Sequence, residues 1–336
     1  MEKSEDSLIE WLAERFAAGD FGHGSAGGVS SSSSGREVVL GIGDDMAMVA
    51  GGSGEVLLTT DLLMDGVHFD SAVHSPEQIG RKALAASLSD CAAMAVRPCC
   101  AVVSVALPNA WSMAQAVGLY LGMEPLASDY GCSIVGGDTN SWRRPLVISV
   151  TVMAEPHEGI APVRRDGARP GDELFVTGRL GGSGQGKHLS FQPRVAEAHW
   201  LAGHLKDALR AMLDLSDGLS TDAARVAAAS GCGLVFEVAA LEQVVSTQAH
   251  DAAQEDGRSP VDHALNDGED FELFFAASPG SMVRLQDRFA DPGGEDEQMV
   301  RLCTRIGVAI EEAGVWLAGA DGSRQPVAPG GWQHFT

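Results

Sequence analysis

The chain has 336 residues, 45% of them hydrophobic, so it can bury a full core, and its length favours two domains over one. Its 46 acidic residues outnumber 23 basic ones, giving a formal net charge of −23; this argues against a nucleic-acid or anionic-membrane partner and suits either a protein that handles cations or one that is merely kept soluble. The start, MEKSEDSLIEWLAERF, lacks a basic segment followed by an apolar run, and no stretch approaches the roughly 18 apolar residues of a spanning helix, so a cytoplasmic protein is expected.

In chain order, residues 7–18 read as a helix, with Ser7 and Glu10 as a capping box and Leu8, Leu12 and Phe16 on one face. Residues 22–35, GHGSAGGVSSSSSG, have little to bury and read as a mobile loop or flexible linker. REVVL and EVLLTT read as strands, the first ending before Asp44 and Asp45 and the second delivering Asp61 at its end. Residues 76–96 have helical spacing at Ile79, Ala83, Leu84, Leu88, Ala92 and Ala95, with Asp90 inside this apolar stretch. AVVSVAL reads as a strand, 111–130 as a helix, CSIVGGD as a strand ending at Asp138, and PLVISVTVMAE as another strand.

Turn formers over 156–172 place a domain boundary near residue 155, dividing the chain into 1–155 and 156–336. The second part opens with the strand ELFVTG and continues with a helix near 218–230 and strands at GLVFEV and DFELFFAA. Alternating α and β elements predict an α/β chain with mixed sheets. The six cysteines, Cys91, Cys99, Cys100, Cys132, Cys232 and Cys303, have neither zinc-site spacing nor the density of a disulfide scaffold, and read as reduced core residues.

Asp45, Asp61, Asp90, Asp138, Asp214 and Asp217 share a context: each follows an apolar strand or sits in an apolar helix, mostly beside Gly, Ser or Thr. Carboxylates and hydroxyls are hard oxygen ligands suited to Mg²⁺ or Mn²⁺, whereas zinc would call for His or Cys. So many carboxylates imply several Mg²⁺ ions, as a polyphosphate requires, and hence a nucleotide. GGSGQGKH, residues 181–188, follows a strand and fits a phosphate-binding P-loop up to Lys187, but His188 stands where a Ser or Thr hydroxyl would bind the metal. A Gly-rich turn near phosphate or substrate, without P-loop mechanics, is the reading that fits better.

GIGDDMAMV, LLTTDLLMDGVHF, KALAASLSDCAAMAVRP, IVGGDTN, ARPGDELFVTG, LDLSDGLSTDAARVAAASG, ALNDGEDFEL and GGWQHF resemble, in order, the signature blocks of the thiamine-monophosphate kinases. The resemblance implies the two-domain fold of aminoimidazole ribonucleotide synthetase, with an N-terminal domain that dimerises through its sheet and binds Mg-ATP, and a C-terminal α/β domain that completes the nucleotide and substrate site. It implies transfer of a phosphoryl group from ATP to thiamine monophosphate. Asp45, Thr59, Thr60, Asp61, Asp90, Asp138, Asp214 and Asp217 resemble Mg²⁺ ligands; Gly137, Asp138, Arg165 and Ser216 resemble ATP contacts; His68, Glu269 and Trp332 resemble positions that touch thiamine phosphate. An indole face for a cationic thiazolium and a guanidinium fork for phosphate oxygens agree with those roles. The chain departs from the family pattern at Ser87, where Asn is usual, at Asp267-Gly268, where two Gly are usual, and at NSWRRPL. Other ATP-using enzymes of the fold, such as aminoimidazole ribonucleotide synthetase and selenophosphate synthetase, and a nucleotide-binding regulator are the alternatives. No cysteine precedes Cys91, against the selenophosphate type, and His68, Glu269 and Trp332 are retained, against a regulator. Asp44 is expected to brace the turn that presents Asp45.

Overall fold

The computed structural model describes residues 37–332 apart from 42, 52–53 and 290–293. The helix expected at 7–18 and the loop at 22–35 lie outside the described residues.

A six-stranded sheet is built from β1 (Glu37–Leu40), β2 (Ala47–Gly51), β3 (Gly54–Met64), β4 (Val96–Pro108), β5 (Ser133–Trp142) and β6 (Val147–Pro156), in the order β1-β2-β3-β6-β4-β5. Only β4 and β5 run parallel among these pairs. One face is covered by α1 (Pro76–Ala93) and α2 (Met113–Asp129). Both helices start on a Ser that bonds the amide three residues on, with a Gln side chain returning the bond: Ser75 with Gln78, and Ser112 with Gln115. Their close crossing depends on glycine, because a Cβ on Gly80 would lie 1.9 Å from the Leu119 carbonyl oxygen and one on Gly122 1.9 Å from that of Glu77.

The second sheet contains β7 (Glu173–Thr177), β8 (Leu209–Asp214), β9 (Gly233–Glu237), β10 (Leu273–Ala277), β11 (Cys303–Ile310), β12 (Gly314–Ala318) and β13 (Arg324–Pro326), in the order β13-β12-β9-β11-β7-β10-β8. Its β7, β10 and β8 are nearly continuous apolar runs, as burial on both faces demands. The helices of this half are α3 (Lys187–Ser190), α4 (Val195–Leu205), α5 (Leu219–Ser230), α6 (Val238–Val244), α7 (Thr247–Asp256), α8 (Pro260–Asn266), α9 (Ser281–Arg288) and α10 (Glu295–Leu302). The two halves share packing: Phe191 and Phe271 join the core of the first sheet and stack on each other with centroids 4.0 Å apart. Helix α1 lies at the seam, touching β3 and β6 on one side and β8, α3 and α4 on the other.

Two strand readings are corrected. β3 continues through Asp61 to Met64, because Leu62, Leu63 and Met64 extend the apolar alternation, so Asp61 is in mid-strand opposite Val150. β5 likewise continues past Asp138 to Trp142. All six cysteines are free; Cys99 and Cys100 on β4 are half-buried and the other four are buried. Among the described residues no helix is long and apolar enough to cross a membrane.

Candidate active site

A cavity of about 1390 Å³ opens along α1 at the seam of the two sheets. A pocket for one drug-sized ligand holds roughly 300–1,000 Å³, so this one has room for two small molecules.

At one end, carboxylate oxygens of Asp45, Asp90 and Asp214 lie within 4.8 Å of one another. The turn after β1 brings Asp45, α1 brings Asp90, and the last residue of β8 brings Asp214. Hydroxyls orient the group. Thr59 donates to Asp90, Ser89 Oγ donates to Asp214 at 2.5 Å, and Ser87 Oγ, at one of the departures from the family pattern, donates to the adjoining Asp61 at 2.5 Å. Arg165 Nη2 donates to Asp45 Oδ1 at 2.8 Å. Asp44 accepts the Asp45 amide at 3.0 Å and the Arg165 amide at 3.3 Å, the bracing role read from the sequence.

The cluster has too little positive charge, with Arg165 paired to Asp45 against three converging carboxylates. Asp45 Oδ2 is buried with no hydrogen-bond partner. Loss of water pushes the Asp45 carboxyl up to about 8, against the opposing pull of Arg165 and with the added push of Asp214 and Asp44. Asp214 is raised to about 6, chiefly by desolvation, and Asp90 well above the ordinary range by desolvation and then by Asp61, Asp214 and Asp45. Converging oxygen donors, an orphaned carboxylate oxygen and mutual repulsion are what a hard divalent cation relieves, so these residues fit Mg²⁺.

Not every residue singled out reaches this cluster. Thr60 lines the cavity but lies on the face of β3 opposite Thr59 and Asp61, its hydroxyl 2.8 Å from that of Thr151. Gly137 stands in the row Asp61–Val150–Val103–Gly137, three strands across the sheet, about 14 Å from Asp61 at the usual strand spacing. A Cβ on Gly137 would meet the Val103 carbonyl oxygen at 1.8 Å, which accounts for that glycine. Asp138 is one residue further on this edge strand, in the row of the exposed Leu62, and bonds the Thr139 amide and the Asn140 side chain. The sheet order thus keeps Gly137 and Asp138 away from the cavity of their own chain. Asp217 lines the cavity but pairs elsewhere: Arg225 Nη1 donates to it at 2.6 Å and to the buried Asp222 at 2.9 Å.

Toward its other end the cavity has His68 and Glu269, both in contact with Lys82, and its wall also includes Ser216 and Trp332. The Glu269 amide bonds the Ser216 carbonyl at 2.7 Å, and the Trp332 amide bonds that of Asp217 at 3.0 Å. Gly331 is needed there, since a Cβ would lie 1.9 Å from the Asp217 carbonyl oxygen. Trp332 is 49% exposed at the rim. Lys82 was not visible as a site residue from the carboxylate pattern. It is 1% exposed, and its ammonium donates to the His68 carbonyl and pairs with Glu269 at 2.6 Å. Burial pulls its pKa below the ordinary lysine range, while Glu269 opposes the shift. A signal for it exists in the sequence: Lys82, Ala86 and Asp90 recur every four residues along an otherwise apolar helix, on one face.

The Gly-rich turn lines the cavity with Gly182, Gly184 and Gln185 but does not have P-loop mechanics. Lys187 Nζ is held 3.0 Å from Glu272, 3.5 Å from Asp270 and 2.8 Å from the Arg179 carbonyl oxygen. Asp267, at another departure from the family pattern, accepts the Gly182 amide at 2.8 Å.

Known proteins resemble the chain over most of its length. Residues 43–155 match the family described as AIR synthase related protein, N-terminal domain. A thiamine-monophosphate kinase of Rhodopirellula baltica is 38% identical over 309 residues, 89% of this chain and 92% of its own length. One from Aquifex aeolicus is 31% identical over 310 residues, 88% of this chain and 92% of its own. A solved structure described as AaThiL complexed with AMPPCP and TMP superposes with a TM-score of 0.76 at 29% identity, covering 99% of this chain and 97% of that one. The hydrogenase maturation protein HypE of E. coli, at 20% identity and a TM-score of 0.66 over 96% of each chain, shares the fold.

Proposed function

Because the chain belongs to the thiamine-monophosphate kinase family, we propose that it transfers the terminal phosphoryl group of ATP to thiamine monophosphate, giving thiamine diphosphate and ADP. The observation that carries this reading is one cavity with a cation-poor carboxylate cluster at one end, His68 and Glu269 toward the other, and Trp332 in its wall. The structurally similar kinase complexed with AMPPCP and TMP supports it.

Asp45, Asp90 and Asp214 would hold Mg²⁺, with Thr59 and Asp61 beside them and Asp217 and Ser216 facing the nucleotide. When bound, Mg²⁺ supplies charge neutralisation for the phosphates. Arg165 would offer its guanidinium to phosphate oxygens. Glu269 and the exposed indole of Trp332 would face the cationic acceptor, the indole by cation–π contact.

Transfer is direct and in line, without a phosphoenzyme. The acceptor is a phosphate monoester whose second pKa lies near ~6, so its attacking oxygen is already ionised at neutral pH and needs no general base. The decisive assay combines purified protein, ATP, Mg²⁺ and thiamine monophosphate and identifies the product by mass. Label from γ-labelled ATP on the protein in the absence of acceptor would contradict direct transfer.

The chain would act as a homodimer through the face of the first sheet opposite α1. That face exposes Leu58, Leu62 and Val102, each at least 40% accessible, next to Thr60 and Asp138. Sedimentation at micromolar concentration tests this, and a fully active monomer would contradict it.

A further inference from the structure

We propose that Lys82 is a positioning residue that sets the acceptor end of the cavity by holding the His68 backbone carbonyl and the Glu269 carboxylate to one ammonium group across the seam. The inference rests on the phosphotransfer reading above only for the identity of the acceptor.

A lysine ammonium is almost never fully buried unless paired, and Lys82 is both buried and paired. Its partners come from different parts of the chain. Lys82 is on α1, His68 follows β3 in the first half, and Glu269 lies in the segment before β10 in the second. Removing the ammonium leaves a carbonyl and a carboxylate facing each other, each having lost a donor.

The Glu269 segment needs such an anchor. Glu269 and Phe271 have φ of +64° and +49°, a left-handed conformation that costs non-glycine residues energy. Amide bonds from Glu269 to Ser216 and from Phe271 to Leu215, at 2.7 and 2.8 Å, fix the backbone, and Phe191 stacks on the Phe271 ring. Lys82 fixes the carboxylate. Both residues line the cavity, but Glu269 is 28% exposed and Lys82 only 1%, so substrate meets Glu269 and Lys82 acts through it. Lys82 and Asp90 are eight residues apart on one helix, about 12 Å. A single rigid element therefore spaces the acceptor end from the carboxylate cluster.

The test uses the full chain with Lys82→Met, Glu269→Gln and the double variant. Lys82→Met is expected to raise KM for thiamine monophosphate at least tenfold while the Kd for AMPPCP, measured by calorimetry, stays within twofold. The double variant is expected to fall short of the product of the two single effects, since both act through one contact. A folded Lys82→Met protein with an acceptor KM within twofold of the parent overturns the proposal. So does a parallel loss of both substrates with additive effects, the signature of a merely structural lysine. Amide hydrogen exchange provides a substrate-free arm that holds even where Lys82→Met does not fold. Glu269→Gln is expected to speed exchange at the His68 amide in the other half of the molecule, and unchanged exchange there overturns the coupling. Absence of thiamine diphosphate formation by the parent protein counts against the functional reading and leaves the exchange arm intact.

Discussion

Two groups of carboxylates in this chain are largely removed from bulk water and treated in opposite ways. Around Asp270 and Glu272, every oxygen has a partner. The Gly181 amide and Ser183 hydroxyl reach Asp270 at 2.9 and 2.5 Å, Thr177 and Arg194 bind Glu272 at 2.7–2.9 Å, and Lys187 bridges both. Around Asp45, Asp90 and Asp214, three carboxylates converge with Arg165 as the paired cation, and one buried oxygen is left without a hydrogen bond. Burial raises Asp270 to about 6 against the pull of Lys187, Ser183 and Gly181, whereas Asp45 is driven to about 8 and its carboxylate neighbours add to the rise. A buried acid is not by itself a site. Incomplete compensation is what separates carboxylates that wait for a cation from carboxylates that hold a fold together.

Substitution in each group sharpens that contrast. Asp90→Asn is expected to lower turnover by about a hundredfold or more, because an amide cannot hold a cation worth several kcal/mol, or ~3 and upward, to the transition state. The same change removes a repelling charge, so the melting temperature without metal is expected to stay level or rise. Turnover within tenfold of the parent at saturating Mg²⁺ would break the assignment. Asp270→Asn is expected to do the reverse. It weakens bonds to Gly181, Ser183 and Lys187, costs about 1–3 kcal/mol of stability, and leaves the turnover of the folded fraction within severalfold. An unchanged melting temperature with collapsed turnover would move Asp270 into the chemistry.

Protons and metal compete for the uncompensated group. The Asp45 carboxyl has an ordinary value of 3.8 and a folded value of about 8, so between those limits the folded state holds a proton that the unfolded state has released. Stability then falls as pH rises, since the slope follows protons bound in the unfolded minus the folded state. In EDTA the melting temperature is therefore expected to decline from about pH 4 to about pH 8 through this group. Mg²⁺ must displace the proton, so the stabilisation it adds is expected to grow across the same window. Asp45→Asn should flatten the EDTA profile and abolish the Mg²⁺ increment. A Mg²⁺ increment that is independent of pH and survives in Asp45→Asn would place the cation elsewhere.

Much of this was legible in the sequence for a physical reason. A carboxylate in an apolar run has to be explained, and Asp45, Asp90 and Asp214 stand out on that ground before any contact is known. Lys82 carries the same signal, a charge inside the apolar 79–95 stretch, but with the sign that a search for metal ligands passes over. The partners of Asp270 and Glu272 were not legible, since Arg194 is 78 residues from Glu272 and periodicity says nothing about such pairings. Nor was the placement of Asp138. Its strand is readable, but the order β3-β6-β4-β5 that puts it on the far edge is set by tertiary pairing. The short helices α6 to α10, at most ten residues each, carry too few turns for their spacing to identify them.

A change in turnover far smaller than that of Asp90→Asn is expected from the residue with the most suggestive motif. Were Lys187 a P-loop lysine, it would have to reach the phosphates, and its loss would be among the most damaging to catalysis. Instead its ammonium lies among Asp270, Glu272 and the Arg179 carbonyl oxygen, three acceptors within 3.5 Å, on a four-residue helix capped by Gly186. Leaving them for a phosphate would expose two buried acids, with Arg194 still covering Glu272 in two-point contact at 2.7 and 2.9 Å. Lys187→Met is therefore expected to lower stability by about 1–3 kcal/mol, through Asp270 more than Glu272. The kcat is expected to stay within tenfold and the KM for ATP within severalfold. Thermal melting and steady-state kinetics on the same preparation separate the outcomes. A kcat loss of a hundredfold or more in a fully folded Lys187→Met protein would erase the distinction between the two carboxylate groups and make the Gly-rich turn a phosphate site after all.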